Sequence, residues 1–356
     1  MKSNQRGFQT RPWGRGAAAA MLLGSILSVL AATGCGRHSG LEAPAGTPAA
    51  GQTLRIGYPG NGSHGHLRGP EGWALQQGIL LPYLKPFGFT AVQLVNLPNG
   101  PDINEALAAK GVDLGIYGDA PAVLGRGVGI PIRCIDISSI DGNSYLYTTQ
   151  QGPKSVQDLV GKTVGTQKGS VMGRFLLQEL AEKGLTGQVK IVHLSQDLAE
   201  AALRRGDIDA YAGGYGPLEE TRGFRVIDQA KNHPGMASTG LTIVRQDFLD
   251  AHPGFATAWN KGRVAGIENV EANLPAYYAQ QAATAQLPVD IYRKLYPSTN
   301  FVTDTFPARG IVELEGTKEF LKSQHLLKND FSIKDWLYHE GDGQVAAKQA
   351  ASTPSS

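Results

Sequence analysis

Ala106-Leu107-Ala108-Ala109-Lys110-Gly111-Val112-Asp113-Leu114-Gly115-Ile116-Tyr117-Gly118-Asp119-Ala120-Pro121 aligns without a gap on Ala202-Leu203-Arg204-Arg205-Gly206-Asp207-Ile208-Asp209-Ala210-Tyr211-Ala212-Gly213-Gly214-Tyr215-Gly216-Pro217. Ala, Leu, Val/Ile, Asp, Gly and Pro coincide, and Asp209 falls 96 residues after Asp113. Each copy reads as the end of a helix, a short strand, and a Gly-x-x-Pro loop that opens another helix. In an open α/β sheet the loop after a strand lies at the sheet's carboxyl edge, where ligands bind. Two such units predict two lobes whose ligand edges face each other across a cleft. Two copies are too few for a solenoid, which needs roughly three or more repeats. The alternative is a chance likeness between two ordinary βα units.

Outward from this pair, strands and helices alternate. Leu54–Tyr58 reads as a strand followed by a Gly-rich loop, and Glu71–Leu84 as a helix weakened at Gly78. Val92–Val95 is a strand, Asp102–Ala109 a helix, Val112–Tyr117 a strand, and Ile130–Ile137 another, with Cys134 as a small buried thiol. Tyr145–Thr149 reads as a strand leaving the first lobe. The second lobe takes strands Lys162–Thr166, Val189–Leu194 and Ile208–Ala212, with helices Val171–Glu182 and Leu198–Arg204. Gly240–Arg245 is the return strand, and Phe255 to about Trp336 is mostly helical. The alternation predicts parallel sheets covered on both faces. The expected division is 53–143 with 239–343 for one lobe and 144–238 for the other. Two crossovers would join them as a hinge.

At 356 residues with 41% hydrophobic content the chain can hold about two domains with real cores. Lys2, Arg6, Arg11 and Arg15 precede the apolar run Ala17–Ala32, and no acid accompanies them. Without that leader the formal charge of +2 becomes −2, which offers no phosphate-tracking surface and argues against nucleic acid as a partner. A basic leader, a short apolar run and small residues describe an export signal, too short for a spanning helix. Residues 1–34 are therefore expected to be a signal peptide, 35–52 a disordered tether and 344–356 a disordered tail. With Cys35 at the cleavage point, only Cys134 is left in the body of the mature chain, so neither an intramolecular disulfide there nor a Cys-based metal cluster is expected.

The loops after the strands supply the candidate ligand contacts: Ser63, His64, Asn99, Gly118 and Asp119 from one lobe, and Lys168, Gly169, Ser170, Val171 and Tyr215 from the other. Glycine admits close backbone approach, and a helix amino terminus offers unpaired N–H groups with partial positive charge. Lys168-Gly169-Ser170-Val171 at a helix start is a seat for a sulfonate or carboxylate; equally, Ser170 is a good helix cap with no ligand at all. Asp119, followed by Ala120-Pro121, either caps its helix or meets a ligand amine or hydroxyl. Tyr215 holds the matching place in the second copy, where its ring can pack and its hydroxyl donate. The chain has no Gly-x-Ser-x-Gly elbow and no Walker loop. His64-Gly65-His66 lacks an acidic or thiol partner at zinc spacing, so no metal is expected.

Leu54-Arg55-Ile56-Gly57-Tyr58, Gly118-Asp119-Ala120-Pro121, Ser155-Val156-Gln157-Asp158-Leu159-Val160-Gly161-Lys162-Thr163-Val164 and Gln167-Lys168-Gly169-Ser170 together resemble the solute-binding proteins of aliphatic sulfonate, taurine and nitrate ABC importers. Ala32-Thr33-Gly34-Cys35 resembles a lipobox, which implies lipidation of Cys35. The resemblance implies a type II periplasmic binding fold: α/β, two βαβ lobes, a two-strand hinge and a central cleft. It also implies a lipid-anchored monomer in the periplasm or on the outer face of the cell membrane, with no cofactor and no catalysis. The protein would deliver a small anionic or zwitterionic ligand to an ABC permease and its ATPase. The family's cleft positions carry over onto Gly118, Asp119, Lys168, Gly169 and Ser170. Many sulfonate binders read Trp-Asp-Pro where this chain has Gly214-Tyr215-Gly216-Pro217, which changes the size and polarity of the pocket. The alternatives are a pyrimidine-type ligand, an enzyme like the thiamine-pyrimidine synthases on the same fold, and a ligand-sensing lipoprotein.

Overall fold

The computed structural model describes residues 51–60 and 66–340. The expected signal peptide, most of the tether, the tail, Cys35, Ser63 and His64 lie outside the described residues. The chain first builds β1 (Gln52–Pro59), β2 (Phe89–Leu97), β3 (Leu114–Gly118) and β4 (Ile132–Gly142). It then crosses at 143–144 to build β5 (Tyr145–Thr149), β6 (Thr163–Thr166), β7 (Lys190–His193), β8 (Ala210–Gly213) and β9 (Phe224–Gln229). After 230–237 it returns as β10 (Ser238–Arg245), which enters the first sheet. The sheet orders are β2-β1-β3-β10-β4 and β7-β6-β8-β5-β9.

Neither sheet is all-parallel, contrary to what the alternation predicts. β1 pairs in parallel with β2 and β3, and β6 with β7 and β8. The crossing strands run the other way: β10 is antiparallel to β3 and β4, and β5 to β8 and β9. A strand that arrives directly from the other sheet has no helix to turn it round, so it enters antiparallel. The sequence reading omits β9, a strand whose residues after Phe224 are all half-buried and mostly polar.

The first sheet carries α1 (Gly69–Gln76), α2 (Leu81–Leu84), α3 (Gly100–Ala108) and α4 (Asp119–Gly127). The second carries α5 (Val171–Glu182), α6 (Gln196–Arg205) and α7 (Gly216–Thr221). The helix expected over Glu71–Leu84 breaks in two, with Gly78 at φ +71° in the left-handed region that glycine tolerates. The remainder forms α8 (Gln246–Ala251), α9 (Phe255–Ala272), α10 (Leu274–Ala285), α11 (Val289–Leu295), α12 (Ala308–Ser323) and α13 (Ile333–Trp336). Among the described residues no helix is long and apolar enough to cross a membrane.

The stretch 239–343, expected in one lobe, divides between two cores. Phe255 and Trp259 of α9 pack with Leu54, Ile56 and Leu114 of the first sheet. Tyr277, Tyr278, Ala282, Ile291 and Tyr292 of α10 and α11 share a core with Tyr145, Tyr147, Tyr211 and Tyr215 of the second. The helices therefore form a further connection between the lobes beside the two strand crossovers.

The internal repeat is structural. Lys110 and Gly206, its two equivalents at the helix ends, both adopt left-handed backbone, at φ +57° and +77°. Gly111 N donates to Ala106 O at 2.7 Å, and Asp207 N to Ala202 O at 2.9 Å. Asp113 accepts from Arg55 N at 2.9 Å and Asp209 from Thr163 N at 2.8 Å, so each aspartate ties its strand to the first strand of its lobe's parallel set.

Candidate functional site

A cavity of about 250 Å³ lies between the two sheets, lined from both. Its polar rim is built by helix starts. Residues at the amino termini of α1 (Gly69, Pro70), α3 (Asn99, Gly100), α5 (Ser170, Val171) and α6 (Gln196), with Gly118 ahead of α4, all line it. Each such terminus carries partial positive charge and favours an anion by about 0.3–1 kcal/mol. The first lobe comes close to the second here: a Cβ on Gly118 would collide with the Val171 side chain, and one on Gly169 would lie 3.2 Å from Pro101. Gly169 also sits at φ +78°.

Of the residues expected from sequence, Asn99, Gly118, Ser170, Val171 and Tyr215 line the cavity. Asn99 caps α3, accepting from Asp102 N at 3.2 Å. Ser170 caps α5, accepting from Gly173 N at 3.1 Å and donating to Gln167 O at 2.6 Å. The cap and the ligand-facing position thus coincide at both residues. Lys168 and Gly169 are not lining residues; Lys168 is exposed, and its N–H donates to His193 Nδ1 at 3.2 Å. His66 lines the cavity, with Nε2 3.1 Å from Gln281 Oε1 and 3.3 Å from the Tyr292 hydroxyl.

Asp119 lies behind the cavity wall, fully buried. Its carboxylate accepts from Ala120 N at 2.6 Å, Thr239 N at 3.2 Å and Thr317 Oγ1 at 3.0 Å. Arg174 Nη2, on α5 of the other lobe, stands 3.9 Å away and donates to Met236 O and Ala237 O in the crossover. Asp119 therefore joins α4, β10 and α12, beside a guanidinium that holds the hinge.

The sequence reading missed two charged groups in the lining, Arg68 and Glu71. Arg68 precedes α1; its guanidinium carbon is 4.6 Å from the centroid of the Tyr296 ring. Its Nη1 is buried without a hydrogen-bond partner, and among the described residues it has no carboxylate ion pair. Tyr215 packs into the same group; burial above all pushes its phenol up, Tyr296 adds to this and Arg68 opposes it. Three more lining residues carry buried polar atoms without partners: Glu71 Oε1, Gln167 Oε1 and Thr239 Oγ1. Buried polar atoms are nearly always satisfied, so four orphans around one cavity mark a place built for a polar ligand. Tyr296 and Phe301, at and beyond the end of α11, complete the aromatic wall. The signal that could have found Arg68 is Arg68-Gly69-Pro70-Glu71, a cation directly ahead of a Pro-started helix.

With this geometry in place, similarities to known proteins bear on it. The family model described as NMT1/THI5 like matches residues 90–273, more than half of the chain. The taurine-binding periplasmic protein of Escherichia coli (strain K12) is 27% identical over 255 residues, covering 66% of this chain and 79% of that protein. The alkanesulfonate-binding protein SsuA from Xanthomonas axonopodis pv. citri, solved bound to MOPS, superposes with a TM-score of 0.67 at 22% identity, covering 82% of this chain and 99% of that one. A variant of DSZB in complex with biphenyl-2-sulfinic acid gives a TM-score of 0.61 at 16% identity, over 83% of this chain and 99% of that one. The fold is the type II periplasmic binding fold that the sequence motifs imply.

Proposed function

Since the chain belongs to the NMT1/THI5-like family, we propose that it is the extracytoplasmic solute-binding component of an ABC importer, holding a small sulfonate-type anion between its lobes. The observation that carries this is Arg68: a half-buried guanidinium whose Nη1 is buried without a hydrogen-bond partner and which, among the described residues, has no carboxylate partner, in a cavity ringed by helix amino termini. A partly desolvated cation with no counter-ion is costly, and an anionic ligand reduces that cost.

Arg68 and the α1, α3 and α4 starts come from one lobe; Ser170, Gln167, Gln196 and Tyr215 come from the other. A ligand that satisfies both sets binds the closed arrangement better than the open one, and this difference shifts the equilibrium toward closure. A permease that reads the closed shape couples capture to import. In this reading Asn99, Ser170 and Tyr215 contact ligand, Asp119 stabilises the fold behind the cavity wall, Cys35 carries a lipid anchor, and the protein acts as a monomer.

The same fold carries the desulfurization enzyme DSZB, so binding without chemistry is part of the proposal. It is supported by the relatives named for binding taurine and alkanesulfonates. Cys134 is buried in β4, where burial and then Asp136 push its thiol well above the ordinary range. The test is calorimetry with short alkanesulfonates, together with mass analysis of the recovered ligand. Saturable binding of an unaltered sulfonate is expected, weakened roughly 100-fold by Arg68→Met. Unchanged affinity in that variant, or a cleaved carbon–sulfur bond, overturns the reading.

A further inference from the structure

A second group of polar side chains lies away from the cleft. It joins Glu179 on α5, Asp228 on β9 and His233, which follows the single helical turn Ala230–Asn232 at the start of the second crossover. None of the three lines the cavity between the sheets. One imidazole nitrogen and one oxygen from each carboxylate lie within 4.8 Å of one another. His233 Nε2 stands 2.9 Å from Asp228 Oδ1 and 3.3 Å from Glu179 Oε2.

Glu179 is fully buried, at 0% exposure, and among the described residues it is the one carboxylate with both oxygens buried and accepting no hydrogen bond. His233 has a single Nε2 to offer and places it nearer Asp228, which also accepts from Gln229 N at 2.7 Å and Asn232 Nδ2 at 3.0 Å. Lys183, one turn further along α5 and one-third exposed, stops with its Nζ 3.7 Å from Glu179 Oε1. Burial first, and Asp228 next, push the Glu179 carboxyl up, with His233 and Lys183 opposing. Buried charges in proteins are paired and hydrogen-bonded or coordinate a metal, and neither neighbouring cation makes a hydrogen bond to this one.

We propose that Glu179, Asp228 and His233 are the protein ligands of a zinc-class divalent ion that braces the second crossover. Tetrahedral zinc, with bonds of about 2.0–2.1 Å, sets its ligand atoms roughly 3.3 Å apart, close to the spacing that His233 Nε2 already keeps from both carboxylates. The ion takes the Nε2 lone pair; the proton on Nε2 leaves to solvent and the ring keeps its proton on Nδ1. Two carboxylates balance the charge of the ion, and water entering beside His233 and Asp228, which are 16% and 12% exposed, fills the fourth position. An imidazole among the ligands favours zinc over magnesium, which takes oxygen ligands in an octahedron.

The placement gives the ion a mechanical role. Arg174, on the same helix as Glu179, donates to Gly235 O, Met236 O and Ala237 O at 3.3, 3.0 and 2.8 Å, which secures the far end of the crossover. The ion secures the near end at His233. Helix α5 then grips the connection at both ends, and the strand β9 that leads into it is held as well.

The experiment is calorimetry and thermal unfolding of the purified protein, stripped with a chelator and titrated with zinc chloride. One zinc per chain is expected, with a melting temperature that climbs with zinc concentration, while magnesium chloride leaves it unchanged. Glu179→Gln and His233→Ala are each expected to weaken zinc binding roughly 100-fold. Lys183→Met leaves the ligands in place and removes the competing cation, so it is expected to tighten zinc binding roughly 3- to 10-fold. This variant keeps the test decisive should either ligand variant fail to fold. A wild-type protein that takes up no zinc, or a Lys183→Met protein with unchanged affinity, overturns the inference. Zinc binding that survives both ligand variants, as it would at His64 and His66, overturns it too. The outcome is independent of what the cleft binds.

Discussion

The two copies of the repeat share a backbone and divide the work. Asp113 and Asp209 make the same bond to the first strand of their parallel set, and Lys110 and Gly206 make the same left-handed turn. At the next loop they part. Asp119 is sealed behind the wall by Thr239 and Thr317, while Tyr215, its equivalent, lines the cavity beside Arg68 and Tyr296. Duplication of a βα unit carries over the hydrogen bonds that depend on backbone path alone. Side chains at the sheet edge answer to whatever packs over them, and that differs: α12 and β10 cover the first loop, whereas the second packs with α10 and α11.

The largest test of this division is Asp119→Ala. Removing a buried carboxylate with three hydrogen bonds next to Arg174 is expected to cost about 3–5 kcal/mol in urea unfolding. Ligand affinity, measured well below the melting temperature, should change little. A variant of normal stability that no longer binds would turn Asp119 into a ligand contact and undo the contrast with Tyr215.

A second difference lies one turn further on, where Glu219 of α7 replaces Val123 of α4. Burial pushes the Glu219 carboxyl up to about 7, with Glu200 adding and Arg222 and Arg204 opposing. The folded state then holds a proton that the unfolded state has lost. Stability from this group is present below the unfolded value, 4.5, and is lost as pH rises through 7. Glu219→Gln is therefore expected to exceed the wild type by about 2–3 kcal/mol at pH 8 and to match it near pH 4. Equal stability at both pH values would show that Arg222, 3.6 Å away, already compensates the charge.

Apart from β9 and the break at Gly78, the elements of both lobes were legible because hydrophobic alternation, Gly breaks and the repeat agree along the chain. The direction of β5 and β10 was not, since it depends on where a strand comes from and leaves no trace in its own residues. The site was half legible for the same reason. Ser170 and Asn99 announce themselves as helix caps, and caps at a cleft edge are also ligand positions. Arg68 and Glu71 read locally as a solvated pair at a helix start. What buries them is Tyr296 and Phe301, more than two hundred residues away, together with Asp136 and Arg263, and no local pattern links these.

Tyr215→Phe sharpens the contrast at the second copy. It removes one hydroxyl and keeps the ring against Tyr296, so a loss of roughly 3- to 10-fold in ligand affinity is expected, with the melting temperature nearly unchanged. The reverse outcome, lower stability with full affinity, would make Tyr215 a packing residue like its equivalent.

The smallest effect tests whether the shared turn is shared in energy as well as in shape. Both copies need a left-handed residue after the helix, and only the second supplies glycine there. Lys110 bears the strain of a side chain at φ +57°, offset by an ion pair to Asp247 at 2.8 Å between two well-exposed groups, which is worth little in water. Lys110→Gly is thus expected to raise stability by about 0.5 kcal/mol, and Gly206→Lys to lower it by about 1 kcal/mol, in matched urea titrations. Two changes of opposite sign would mean that the turn costs the same in either lobe. A Lys110→Gly protein less stable than the wild type would instead assign the first copy's turn to its contact with Asp247, at the start of α8, and the equivalence of the copies would then stop at the backbone.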